Sequence, residues 1–170
     1  MPPDRSESAA TFDTSDADLY ERLAPELTHF ATTLVGPSGA EDLLATAVMN
    51  ALTSPRWPAI DNKRAYLYRC LVNEAHKQRR STSRRLEREV RTTRRATAGG
   101  VTDAGPDRAA LDPTVLDALR QLTVRQRAVI YLTYWSDLTP KQVATTLDSS
   151  SRTVERDLAN ARTRLEELLS

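Results

Sequence analysis

The stretch Leu138-Thr139-Pro140-Lys141-Gln142-Val143-Ala144-Thr145-Thr146-Leu147-Asp148-Ser149-Ser150-Ser151-Arg152-Thr153-Val154-Glu155-Arg156-Asp157-Leu158 decides how this chain reads. Thr139 and Gln142 stand three residues apart, the spacing of a capping box, and Pro140 occupies the first helical position between them. The helix they open is brief and turns its Val143, Ala144 and Leu147 inward. Asp148-Ser149 turns the chain, and Ser150 is placed to cap a longer helix with Val154, Leu158, Ala161, Leu165 and Leu168 on one stripe. A short helix, a tight turn and a longer helix predict a helix-turn-helix. An ordinary helical hairpin with a polar surface is the alternative that the pattern leaves open.

Working outward, Thr123-Val124-Arg125-Gln126 repeats the capping signal and opens a helix with Ala128, Val129 and Leu132 inward. Val115, Leu116, Leu119 and Leu122 predict a shorter helix before it. Residues 96–113 hold three of the five glycines and two of the nine prolines, and read as a flexible linker. Upstream, Leu19, Leu23, Leu27, Phe30 and Leu34 predict a first helix from Asp16, kinked or restarted at Pro25. Leu43, Leu44, Ala47, Val48, Ala51 and Leu52 share one face of a second helix, which Ser54-Pro55 stops. A third begins near Lys63, buries Leu67, Cys70 and Leu71, and becomes almost wholly basic beyond His76. No strand is predicted. The expected fold is all-α: a disordered leader at 1–15, a helical domain at 16–95, the linker, and a helix-turn-helix domain at 114–170.

The charge is segregated. The whole chain carries 24 Lys and Arg against 23 Asp and Glu, a net of +1 that taken alone argues against a nucleic-acid binder. Residues 1–62 hold 3 basic and 10 acidic side chains, and residues 63–97 hold 12 basic and 3 acidic. A solvated helix face is one reading of the basic block, and a footprint for phosphate is the other. On the second helix of the C-terminal motif, Ser150, Ser151, Arg152, Thr153, Glu155, Arg156 and Asn160 are offered to a major groove.

Composition removes other classes. One cysteine in 170 residues excludes a disulfide framework and a multi-cysteine metal site, so no metal or cofactor is expected. No phosphate-binding glycine loop or metalloprotease motif is present, and an enzyme is not expected. No apolar run is long enough to cross a bilayer and the N-terminus has no secretory pattern, so the expected setting is a reducing cytoplasm, without membrane insertion.

Two blocks of motifs resemble one family. Leu119-Arg120-Gln121-Leu122-Thr123-Val124-Arg125-Gln126-Arg127 resembles the "LxxLPxxxR" opening of the fourth region of bacterial RNA polymerase sigma factors, and the helix-turn-helix continues the likeness. Glu41-Asp42-Leu43 resembles the "AEDL" of their second region. Arg64-Ala65-Tyr66-Leu67-Tyr68-Arg69…Val72-Asn73 resembles "xAWLYRIAxN". With two domains and a short linker, the chain is similar to the extracytoplasmic-function subfamily, in an actinobacterial style.

The resemblance implies that the protein directs core RNA polymerase to promoters. The first domain would melt the minus-ten element and capture it as a single strand through Arg56, Trp57, Asn62, Arg64, Tyr66, Asn73, His76, Lys77, Arg79 and Arg80. Trp57 would stack on a base or plug the loop beneath it. Tyr66 would support strand separation or pack in the core. The recognition helix would hold the minus-thirty-five duplex. Glu41, Asp42, Leu43 and Met49 would meet the polymerase clamp, the fourth region its flap, and an anti-sigma factor is an expected partner.

Departures from the family pattern fall at Ala45 and Thr46, where Gln-Glu is usual. Others are Tyr66 for Trp, Lys77 for Asp, Asp148 for Gly, Arg152 for Gly and Glu155 for Lys. Ala45 and Thr46 imply weaker polymerase binding, and the changes at Asp148, Arg152 and Glu155 imply an unusual minus-thirty-five preference or weaker contact there. A stand-alone helix-turn-helix regulator and a sigma-like protein-interaction module are the competing readings.

Overall fold

A computed structural model of the chain describes residues 14–92 and 113–170, with side chains described for 15–88 and 113–170. The first half holds α1 (Thr14–Val35), α2 (Pro37–Leu52), a 3-10 turn (Trp57–Ala59) and α3 (Lys63–Thr92). The second half holds α4 (Pro113–Arg120), α5 (Val124–Tyr134), α6 (Pro140–Thr146) and α7 (Ser151–Leu169). Among the described residues there is no strand, and no helix is long and apolar enough to cross a membrane.

Three expectations are corrected. Thr14 and Ser15, assigned to the leader, form the start of α1. Asp16 anchors that end by accepting from the Trp57 indole and Lys63, and a carboxylate suits a helix N-terminus. Of the two outcomes expected at Pro25, a kink or a restart, the restart does not occur: α1 is one helix from Thr14 to Val35 with Pro25 inside it. A helix-interior proline costs about 3 kcal/mol, but Pro25 is exposed. The burial of Leu27, Phe30, Ala31 and Leu34 on the opposite face holds the helix together. Pro113, assigned to the linker, is the first residue of α4, where a missing N–H leaves nothing unpaired. The remaining leader and linker positions lie outside the described residues.

Local chemistry explains most boundaries. Gly36 joins α1 to α2 alone, at φ +87°, a conformation that L side chains rarely adopt. Thr123 and Thr139 both form complete capping boxes, with Gln126 and Gln142 reaching back to the cap N–H groups. Ser150 caps α7 by accepting from the Thr153 N–H. Asp148 turns α6 into α7 at φ +53°, the left-handed region that Asp tolerates better than most residues.

The two halves share a core. Phe30, Leu34, Leu43, Tyr68 and Leu71 of the first half belong to one buried apolar cluster with Val129, Leu132, Val143 and Val154 of the second. Leu119, Leu122 and Ala161 form a smaller cluster between α4, the turn after it, and α7.

Candidate nucleic-acid interface

The solvent face of α3 carries Asn73, Lys77, Arg80 and Arg84 at steps of four, three and four residues, which places them on one side of a helix. All four are exposed, and with His76, Ser81 and Arg88 they form one open face of α3. No hydrogen bond within the described residues engages the Asn73 amide, which keeps two donors and an acceptor for a ligand. Lys77 makes a loose pair with the buried Glu74 at 3.6 Å. His76 is half-buried, and its pKa is lowered by burial and by the charges of Arg80, Arg125 and Arg79.

The start of α3 is differently employed. Asn62 caps the helix, its Oδ1 accepting from the Ala65 N–H at 2.9 Å. Arg64 pairs with Glu26 of α1 and lies over the Tyr68 ring. The Tyr68 hydroxyl donates to the same carboxylate, and burial, with Glu26 beside it, pushes that phenol's pKa up. Trp57, expected as a candidate base-stacker, is 4% exposed, its indole N–H donating to Asp16 at 2.9 Å. It is the plug of its loop: a buried indole needs an acceptor, and Asp16 supplies it. Tyr66 is half-buried, with its ring centroid 6.1 Å from that of Trp57. Arg56, Arg79 and Arg80 are exposed.

On α7, Val154 and Ala161 are fully buried while Arg152, Glu155, Arg156 and Asn160 face solvent. Ser151 and Thr153 are half-buried, and the Ser150 hydroxyl is engaged in the cap. The first two turns of α7 therefore present Arg152, Glu155 and Arg156 at a helix end that itself favours anions, with Asn160 one turn further along.

Glu41 and Asp42 are exposed on α2, and so is Met49 at 53%. Leu43, expected to meet a partner, is instead fully buried. It lies on the inward stripe with Leu44 and Ala47, where burial of a leucine contributes about 1.5–3 kcal/mol.

Comparison with known proteins identifies the pattern. The family model for Sigma-70 region 2 matches residues 19–85, and that for Sigma-70 region 4 matches residues 114–165. An RNA polymerase sigma-E factor of Streptomyces coelicolor is 36% identical over 138 residues, covering 78% of this chain and 73% of that protein. The chain belongs to the RNA polymerase sigma factor family. Its class is the extracytoplasmic-function one. A sigma-E factor of Streptomyces antibioticus is 37% identical, over 78% of this chain and 72% of its own length. A co-crystal structure of the sigma factor RpoE with the anti-sigma factor NepR from Bartonella quintana matches with a TM-score of 0.72 at 26% identity, covering 92% of this chain and 98% of that one. Sigma factors are transcription initiation factors that do not themselves catalyse a reaction.

In this sigma factor regions 2 and 4 are docked on each other by side chains that the sequence reading gave no role. The buried Arg127 guanidinium donates to the Leu34 carbonyl at the end of α1, and to the Leu122 carbonyl at 3.3 Å. Burial and the charges of Arg79 and Arg120 lower its pKa. The Tyr131 hydroxyl donates to the Glu26 carbonyl at 3.3 Å, and Arg69 of α3 donates to the Thr146 carbonyl at 3.3 Å. His29 of α1 packs against Trp135, with ring centroids 4.2 Å apart. The signal for Arg127 was present in the "LxxLPxxxR" likeness, but its partner lies 93 residues away.

Proposed function

We propose that this sigma factor captures a melted minus-ten strand along α3 and holds a minus-thirty-five duplex with α7, while the acidic surface of α2 meets the polymerase clamp and region 4 meets the flap. The observation that carries this reading is the exposed face Asn73, Lys77, Arg80 and Arg84. A single strand needs cations along its phosphates and a polar group for an unstacked base. On this reading Arg56, His76 and Arg79 border the strand, while Asn62, Arg64, Tyr66 and Trp57 hold the shape of the helix and loop that receive it. Ser151, Arg152, Thr153, Glu155, Arg156 and Asn160 face the duplex. Glu41, Asp42 and Met49 face the polymerase. The protein works in the cytoplasm at the nucleoid, and an anti-sigma factor restrains it, as the Bartonella quintana relative is bound by one.

Promoter binding requires the two regions to part. Elements centred at positions ten and thirty-five are about 25 base pairs apart, or ~85 Å of duplex at 3.4 Å per step. Arg69 of α3 touches the end of α6, one helical turn from Asn73, so in the docked arrangement α3 is in direct contact with the helix-turn-helix.

The test is run-off transcription with core polymerase, paired with selection of initiating sequences from a genomic library. The wild type should initiate at a defined promoter set. N73A should lose discrimination at one minus-ten base by roughly 1–3 kcal/mol, the value of a good bidentate base contact. An equal loss at every promoter base would assign Asn73 to the fold, and no initiation by the wild type would refute the whole reading.

A further inference from the structure

One guanidinium ties α5 to two points of the helix-turn-helix. Arg125, in the first turn of α5, donates Nε to Asp157 Oδ2 at 2.5 Å and Nη2 to Ser149 Oγ at 2.5 Å. Ser149 lies in the turn between α6 and α7, directly after Asp148 at φ +53°. Asp157 lies in the second turn of α7. Its side chain is 13% exposed, and its other oxygen, Oδ1, stands 3.9 Å from Nη2 of Arg156, whose side chain is 69% exposed.

The arrangement solves an electrostatic problem. A carboxylate on a helix that lies along DNA repels phosphate. Here Asp157 is turned from solvent and neutralised by Arg125. The oxygen left over stands 3.9 Å from Arg156, one of the two exposed arginines in the first turns of α7. The planar guanidinium is a rigid fork, so its bond to Ser149 sets the plane in which it meets Asp157. A lysine, with a single point charge on a flexible stem, has no such geometry.

We propose that Arg125 is a positioning residue for duplex recognition, acting through Asp157 to aim Arg156 into the groove, with Ser149 as the second point that orients its guanidinium. The specificity of region 4 then depends on a residue of α5, outside the two helices of the motif. This rests on the reading of α7 as the duplex-binding helix, and the experiment separates the two.

A duplex is first selected by the full-length wild type from a random-sequence pool. Its affinity is then measured by fluorescence anisotropy for wild type, R125A, R156A, the double variant and R125K. R156A should weaken binding roughly 10–100-fold and R125A about tenfold. The double variant should be no weaker than R156A alone, because the effect of Arg125 is transmitted through Arg156. R125K should fall between wild type and R125A. Should R125A fail to fold, D157N keeps the side-chain shape and takes its place in the same cycle. Losses that multiply in the double variant would overturn the proposal, since a general structural role adds independently of Arg156. A pool that yields no enriched duplex, or an R156A protein that binds as wild type, would overturn the reading of α7 and the proposal with it.

Discussion

Replacing Arg127 by methionine keeps the apolar stem and removes the guanidinium that joins α5 to the end of α1. Two carbonyls then lose their donor. That of Leu34 lies in the last turn of α1, where helix carbonyls have no partner within the helix, and that of Leu122 precedes α5. A hydrogen bond from a charged donor contributes about 1.5–3 kcal/mol, and a carbonyl left buried without a donor costs a similar amount. Against this, the variant no longer buries a cation, a penalty visible in the lowered pKa of Arg127, which is 8% exposed. A net destabilisation of about 2 kcal/mol is expected. For a chain of 150–250 residues each kcal/mol shifts the midpoint by about 2–4 °C, so Tm should fall by about 4–8 °C. The guanidinium bridges regions 2 and 4, so the calorimetric transition should also broaden or split as the halves unfold separately. The control is R120M: Arg120 pairs with Asp117 on the surface with 61% of its side chain exposed, and should change stability by about 0.5 kcal/mol at most. The reasoning is refuted if R127M melts within 1 °C of wild type as a single transition, or if R120M costs as much.

Three further outcomes are expected. W57F removes the indole N–H from Asp16, so Tm should fall by a few degrees while affinity for a minus-ten single strand stays within twofold; a selective loss of strand binding would return Trp57 to the DNA site. His29 and His76 both have lowered pKa values, the first through burial against Tyr131 and Trp135, the second through burial and the charges of Arg80, Arg125 and Arg79. Because the folded form favours the neutral rings, their stabilising effect is complete above about pH 6.5 and is lost as pH falls through the depressed values. Melting temperature should therefore drop between pH 7.5 and 5.5, and the H29Q/H76N variant should show a flatter profile; identical profiles would exclude the histidines as the cause. Finally, R79A/R80A should reduce the salt slope of strand binding by about 0.7 per lost phosphate contact, and an unchanged slope would mean that neither arginine faces phosphate.

Much of the fold was legible because its signals are local. Thr123 with Gln126, Thr139 with Gln142, and Ser150 with Thr153 act over three residues, and each cap formed where its pattern placed it. The α2 stripe already set Leu43 beside Leu44 and Ala47, which conflicts with a partner-facing role; burial resolves the conflict in favour of the stripe. At Pro25 the helix does not restart. The local penalty of Pro25 is real, but the residue sits on the exposed face of a helix whose other face is buried by α2, α3 and α5.

The partners of the charged side chains were not legible. Trp57 meets Asp16 across 41 residues, Arg64 meets Glu26 across 38, Arg125 meets Asp157 across 32, and Arg127 meets Leu34 across 93. The chain's own order of residues determined the helices, their caps, the basic block and the family, since each depends on neighbours within a turn or on a recognisable run. Which basic side chains remain open to a ligand was decided by tertiary packing. Arg64, Arg125 and Arg127 are bound internally, whereas Arg79, Arg80, Arg84, Arg152 and Arg156 stay exposed. A charge becomes a contact or a free surface only when two helix faces meet, and the spacing along one helix carries no record of the face opposite.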